Sequence, residues 1–299
     1  FEHLEGSVSL NVCRRQPPRV LTVRSDAGAY WGYGHHYRTL SIAQNLRKKT
    51  GITARFLVRK GSDTHLPLES GFQTISLSGD SFEEVASHTK PEDGPMIIDT
   101  RSVDESYLYS MNKAGYRTVI FDDGKRLGHY PVDVVVDYAP GAEGIGYEGL
   151  SKTTFCLGPS FFPLRPEFRQ SFDCRERFPV QSLLLTFGGS DPEDHTGRVL
   201  NTLMNNKRLW TTEVVVGPGY CGSAERLASN DPMVEIRRSV NQMSKLMNTA
   251  DLAVSGAGGT ALELAYMGVP SILIAVAADQ SRISSGLASA GAAVDMGWH

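Results

Sequence analysis

No stretch of this chain is long and apolar enough to cross a bilayer. The longest apolar run, Val269 to Ala278, is about half the required length and contains Pro270. A surplus of one charge is also missing. The formal net charge is −3 over 299 residues, which supplies no general pull toward nucleic acid or an anionic membrane. Cysteine is scarce. Cys13, Cys156, Cys174 and Cys221 are scattered, with no C-x-x-C and no Cys/His cluster at metal spacing. The expectation is reduced thiols in a cytoplasmic protein and no metal site. Residues 1–18 lack the apolar core of a signal peptide, and there is no initiator Met. They are read as an N-terminal extension, and the chain as part of a larger multidomain polypeptide. Short-period repeats and low-complexity segments are absent too.

What is present fits a folded α/β protein. Hydrophobic residues make up 40% and charged residues 21%, ordinary values for a globular chain long enough for two domains. Short apolar runs alternate with helical patterns: 19–24, 52–59, 71–77, 96–99, 117–121 and 132–136 read as strands. Helices are expected over 39–49, 81–88 and 105–114. This alternation predicts a parallel sheet covered by helices. It breaks between Gly158 and Val180, a segment with four prolines and five phenylalanines. A second series follows, with strands at 182–187, 213–216, 233–237, 252–254 and 271–276. The expected division is a first Rossmann-like domain over 19–160, a linker over 161–180 and a second Rossmann-like domain over 181–299. Two such domains with parallel sheets facing across a cleft make the GT-B arrangement.

Four constellations could carry chemistry. The first is the strand-to-helix junction from Arg24 to Arg38. Gly32 and Gly34 permit close backbone approach. His35 is of the one side-chain type whose ordinary pKa lies near neutrality, and His36 competes with it. Asp26 either binds a sugar hydroxyl, orients an imidazole or caps the loop. Arg38 meets a phosphate or simply sits on the first helical turn. The second is Phe187-Gly188-Gly189-Ser190-Asp191-Pro192, either a diphosphate loop or a plain turn with a capping Ser190 or Asp191. The third is Ser255-Gly256-Ala257-Gly258-Gly259-Thr260, with Glu263 one turn into the following helix. It lacks the G-K-[ST] ending of a P-loop. Glu263 either accepts ribose hydroxyls or merely favours the positive helix end. The fourth is Asp99, Asp122 and Asp123, carboxylates at strand ends that either line the same crevice or cap loops.

Taken in order, these motifs resemble the family of UDP-2,4-diacetamido-2,4,6-trideoxy-β-L-altropyranose hydrolases of pseudaminic acid biosynthesis. The residues carrying the resemblance are Arg24, Asp26, Ala27, Gly32, Gly34, His35 and Arg38, then Phe121-Asp122-Asp123 and Leu157-Gly158-Pro159 with Leu164-Arg165-Pro166-Glu167-Phe168. Thr186 to Pro192 and the series Gly258-Gly259-Thr260, Glu263, Gly268-Val269-Pro270 and Gln280 complete it. The resemblance implies a GT-B enzyme related to the transferase that makes lipid II, working without metal or other cofactor. It implies that water attacks the anomeric carbon and UDP leaves, with His35 as general base. It places Gly188, Gly189, Ser190, Gly258, Gly259 and Thr260 at the diphosphate and Glu263 on the ribose. Asp26, Gly34, Arg38, Asp99, Asp122 and Gln280 are expected on the sugar side. A glycosyltransferase using a related nucleotide sugar and a non-catalytic nucleotide-sugar-binding module are the alternatives. The first loop departs from the family pattern in carrying Tyr30, Trp31 and Tyr33, where smaller or less aromatic residues are expected, and two further positions depart from it. Asp99-Thr100-Arg101 stands where D-x-Y is expected, and Asp279 precedes Gln280 where an N-Q pair is expected.

Overall fold

The computed structural model describes residues 20–28, 30–170, 177–206, 209–229 and 231–298. Cys13, Cys174, the whole of the expected N-terminal extension and part of the expected linker lie outside these residues.

The first half builds a seven-stranded sheet. Its elements are β1 (Val20–Ser25), α1 (Gly34–Thr50), β2 (Thr53–Arg59), α2 (His65–Glu69), β3 (Gln73–Leu77), α3 (Phe82–His88), β4 (Met96–Asp99), α4 (Glu105–Lys113), β5 (Thr118–Phe121), β6 (Val134–Asp137) and β7 (Thr154–Leu157). The strand order is β3-β2-β1-β4-β5-β6-β7, and adjacent strands run parallel. From β1 the chain first builds outward through β2 and β3. It then returns to place β4 on the other side of β1. A crevice opens at the strand ends where the order reverses, between the carboxyl ends of β1 and β4.

The second half repeats this logic. β8 (Ser182–Thr186), α5 (His195–Met204), β9 (Thr211–Val216), α6 (Ala224–Ala228), β10 (Val234–Arg238), α7 (Met243–Thr249), β11 (Leu252–Gly256), α8 (Gly259–Tyr266), β12 (Ser271–Ala275), α9 (Ser281–Ser289) and β13 (Ala293–Trp298) follow one another. The strand order is β10-β9-β8-β11-β12-β13, again parallel. Its reversal lies between β8 and β11, which feed the two glycine loops.

Both sheets are apolar on two faces because helices cover both sides. In the first, Leu40 and Ala43 of α1 pack on Leu21, Val23 and Phe56. Leu108 and Met111 of α4 pack on Leu57, Ile98 and Ile120 from the opposite face. The first of these clusters continues through Val136, Tyr138 and Ala139 to Ala261, Leu273, Ile283 and Leu287. The two domains therefore share one apolar seam. On it, a Cβ added at Gly286 of α9 would lie 2.2 Å from Cβ of Pro140, so only glycine permits this approach.

Five elements depart from the sequence expectation. Strand β13 was not anticipated, because this edge strand turns Val294, Met296 and Trp298 outward and gives no core-facing pattern. Strand β7 is four residues long at the other sheet's edge, and α2 and α6 have five residues each. Helix α1 begins at Gly34 rather than near residue 39, so His35, His36 and Arg38 lie on its first turns. It ends at Gly51, whose φ of 74° suits a left-handed cap, with Arg47, Lys48 and Lys49 favourably placed in the last turn.

The start of α1 also separates the two adjacent histidines. His36 is fully buried, edge-on to Phe56 with ring centroids 6.1 Å apart. Its Nε2 donates to the Ser25 carbonyl at 3.3 Å, and its Nδ1 has no partner. His36 is thus a core residue and leaves the competition for a catalytic role. Burial pushes this imidazole below its ordinary pKa of 6.5, outweighing the opposing effect of the Ser25 carbonyl and nearby aspartates. Protonation therefore favours the unfolded chain. The stability held by neutral His36 is fully present above pH 6.5 and is lost as pH falls through that value toward the lowered one. The loss approaches about 1.4 kcal/mol per pH unit in that window. Urea midpoints at about pH 8 and about pH 5 should differ by this contribution, and His36→Leu should flatten the difference. An equal pH dependence in both proteins would assign the slope to another group.

Candidate functional site

A cavity of about 770 Å³ lies between the two domains. His35, Arg38 and Asp99 line it from the first domain, and Gly188, Gly258 and Glu263 from the second. Both strand-order reversals thus open into one space.

Asp99 ends β4 and is fully buried. Arg38, one turn into α1, donates from Nε to Asp99 Oδ2 at 2.6 Å and from Nη2 to Oδ1. Nδ1 of His35 lies 2.7 Å from the same Oδ1. Burial alone would raise this carboxyl, but the Arg38 charge, His35 and their hydrogen bonds hold it well below the usual carboxylate range. Asp99 is therefore ionised. Two bare lone pairs cannot sit at 2.7 Å, so a proton lies on His35 Nδ1 and points at Asp99. Arg38 Nη2 is also 2.9 Å from Nδ1, but a nitrogen that donates to Asp99 offers it no lone pair in the ring plane. In neutral His35 the free lone pair is consequently on Nε2. The side chain is 15% exposed, enough for that nitrogen to meet a ligand.

Arg38 is fastened by more than Asp99. Its Nη1 donates to the Tyr138 hydroxyl and lies 3.6 Å from Asp123 Oδ1. Its guanidinium also sits over the rings of Phe121 and Tyr138, at 5.3 and 5.5 Å. A residue this fully engaged holds the site in shape rather than reaching for a ligand. Asp26 is similar. Its Oδ1 accepts from Arg24 and from the Arg59 backbone, both at 2.7 Å, and its Oδ2 accepts from Thr100 at 3.3 Å. Asp26 lines the cavity, yet it serves to tie the end of β1 to the end of β2. Asp122 does not line the cavity. It accepts from the Arg126 backbone at 3.1 Å and the Tyr147 hydroxyl at 2.9 Å. Its neighbour Asp123 faces the cavity instead, as alternation after a strand dictates.

In the second domain, Gly188 has φ of +89°, a conformation that favours glycine. Gly189 touches the first domain directly. A Cβ there would lie 2.6 Å from Cδ2 of Tyr33, whose hydroxyl donates to Asp63 at 2.7 Å. Burial, followed by that hydrogen bond and the Asp63 charge, pushes the Tyr33 phenol up to about 12. Ser190 lines the cavity. Asp191 does not cap in the simple way expected. Its two oxygens accept from the backbones of His195 and Thr196 at 2.9 and 2.8 Å, while Asp194 is the N-cap of α5.

Helix α8 starts at Gly259 after Gly258, with no side-chain cap. Its first N–H groups therefore remain available to an anion. The Phe162 ring lies beside Gly259, 3.3 Å from where a Cβ would stand. Glu263 is buried, and Arg165 grips both its oxygens at 2.7 Å each. Burial raises the Glu263 carboxyl while Arg165 opposes the rise. Gln280 uses Oε1 to accept from the Val276 backbone at 3.0 Å, which leaves its NH₂ group toward Gly258.

Sequence reasoning missed the parts played by two residues, while Asp123, a candidate there, does face the cavity. Tyr33 stands in the sequence only as a member of a motif. Arg165 stands 98 residues from Glu263, and no local pattern pairs them. Among the described residues no group of three or more His, Cys, Asp or Glu side chains is placed to hold a metal ion. No helix among them is long and apolar enough to cross a membrane.

No protein-family model matches the chain. An uncharacterized protein of Methanocaldococcus jannaschii is 26% identical over 269 residues, which cover 85% of this chain and 55% of that protein. The chain thus spans about half the length of the curated relative it matches. Solved structures are similar over nearly the whole chain. MurG of Acinetobacter baumannii superposes with a TM-score of 0.65 at 15% identity, covering 94% of this chain and 86% of its own. The spinosyn rhamnosyltransferase SpnG complexed with thymidine diphosphate gives 0.61 at 13% identity, covering 93% and 86%. An Arabidopsis thaliana protein complexed with UDP-L-rhamnose gives 0.57 at 14% identity, covering 95% and 86%. The chain has the fold of these proteins: two parallel-sheet α/β domains facing across a cleft, the GT-B architecture.

Proposed function

We propose that this chain transfers the glycosyl group of a nucleoside diphosphate sugar, UDP-linked in the first instance, to a hydroxyl acceptor. The observation that carries the reading is the His35–Asp99 pair, which leaves a basic Nε2 at a cavity shared with two glycine loops. In this reading Nε2 removes the acceptor's proton. The acceptor oxygen bonds to the anomeric carbon as the bond to the diphosphate breaks, and the nucleoside diphosphate leaves. The imidazolium so formed is stabilised by the ionised Asp99. Charge growing on the leaving diphosphate meets the uncapped start of α8 at Gly258, Gly259 and Thr260, and the backbone of Gly188 and Gly189 with Ser190.

The remaining roles follow from what each side chain has free. Glu263 takes the ribose with the lone pairs that Arg165 leaves open. Gln280 offers its amide N–H to the sugar, and Gly34 allows the sugar close to α1. Asp26, Arg38 and Asp99 hold the wall of the sugar pocket. The acceptor enters past Tyr30 and Trp31, which line the cavity and meet edge to face at 5.5 Å. Tyr30 is 89% exposed, and such an aromatic rim suits an acceptor with an apolar or sugar face.

Hydrolysis is the second reading, because the ordered motif set from Arg24 to Gln280 resembles the nucleotide-sugar hydrolases. It differs only in that water takes the acceptor's place at His35.

One assay separates the two. The protein is incubated with UDP-N-acetylhexosamines and UDP-6-deoxyhexoses, with and without hydroxyl acceptors, while UDP and free sugar are followed. Release of UDP that depends on an acceptor is the expected result. Equal release of UDP and free sugar without acceptor would move the assignment to hydrolysis, and binding without release under all conditions would overturn both. The variant His35→Ala should lower turnover by about 10²- to 10⁴-fold and leave UDP affinity within about twofold, since UDP rests on the other domain. Retention of most activity would remove His35 from the role of base.

A further inference from the structure

Two charged side chains that the proposed chemistry does not use meet across the cleft. Arg101, two residues beyond β4, places Nη2 2.7 Å from Oδ2 of Asp279, two residues before α9. Both line the cavity.

The pair does not stand alone. Arg101 Nη2 is 3.8 Å from Asp123 Oδ2, and Asp123 Oδ1 is 3.6 Å from Arg38 Nη1. Arg38 holds Asp99, and Asp99 holds His35 at 2.7 Å. From Asp279 to Asp99 the charges alternate in sign, His35 hangs on the last of them, and the first step crosses from one domain to the other. A second described ion pair of this face, Arg282–Asp137 at 2.8 Å, also has its arginine at the cavity, with Asp137 buried. Arg101–Asp279 is the more exposed of the two, with Arg101 54% exposed.

We infer that Arg101 and Asp279 are a closure pair that draws the two domains together over the bound glycosyl group and so brings His35 to the bond that breaks. An ion pair this exposed adds little to folding. A two-state opening and closing of domains responds differently, since an interaction of that strength shifts its equilibrium by about fivefold. Arg101 and Asp279 are in this account positioning residues. They touch neither the reacting atoms nor the diphosphate, so their loss should lower kcat and leave UDP affinity unchanged. The inference rests on the reading of the cavity as a nucleotide-sugar site, but the distance between the domains can be measured without any turnover.

The test uses the full chain with its cysteines replaced by serine and nitroxide labels attached through Lys113→Cys on α4 and Lys245→Cys on α7. Distances are recorded by double electron–electron resonance with saturating UDP. Without further change the labels should report one short, narrow distance. Arg101→Glu and Asp279→Arg should each broaden it toward longer values and lower kcat about fivefold or more, with UDP affinity unchanged. Exchange of the two charges, Arg101→Asp with Asp279→Arg, should recover the short distance. Single reversals that keep the short distance would overturn the inference, as would an exchange no shorter than the single variants. A protein that releases UDP from no nucleotide sugar would count against the proposed function instead, and the distances would still decide whether the pair closes the cleft.

Discussion

The site depends on one buried carboxylate. Asp99 sits at the end of a central strand, out of water, where an isolated charge would be very costly. Its ionised form persists because Arg38 supplies two hydrogen bonds and a full opposite charge. The remaining capacity of that carboxylate goes to His35. Remove Asp99, and Arg38 loses its main partner while His35 loses the group that fixes its proton. Fold stability and the orientation of the His35 ring thus rest on the same interaction.

The parallel sheets explain why these groups meet. In each sheet the chain reverses its direction of building beside its first strand, and the adjacent strand ends open a crevice. In the first sheet that crevice receives His35 and Asp99. In the second it receives the Gly188 and Gly258 loops. The apolar seam through Tyr138, Ala261 and Ile283 turns the crevices toward each other, and Tyr33 against Gly189 sets the local spacing. A base from one domain can then face an anion site on the other. That division fits glycosyl transfer from a nucleotide, in which leaving-group charge and proton removal arise at opposite sides of one carbon.

Much of this architecture is legible in the sequence, because strand–helix alternation is a local, periodic signal. The main strands of both sheets and both glycine loops fall close to where the pattern puts them. Elements without such a signal are lost. The outward-facing β13 and the five-residue α2 and α6 give no period to read. The site is legible in its residue types but not in its pairings. His35 and Asp99 both stand out as candidates, yet 64 residues separate them, and nothing local says that one holds the other. For the same reason Asp26, Arg38 and Asp99 read as sugar contacts in the sequence, although their polar atoms are taken by the protein. His36 could not be told from His35 until the start of α1 was fixed at Gly34. One residue along a helix then places one ring in the core and the other at the cavity.

Asp99 fixes the proton of His35 on Nδ1 and leaves the Nε2 lone pair bare at the cavity. Nitrogen-15 NMR of the imidazole at neutral pH tests this most directly, because the two ring nitrogens of a neutral histidine differ widely in shift according to which carries hydrogen. The neutral ring should show a protonated Nδ1 in a hydrogen bond and a bare Nε2. A neutral ring protonated on Nε2 would contradict the account, since His35 would then have no lone pair to offer the cavity.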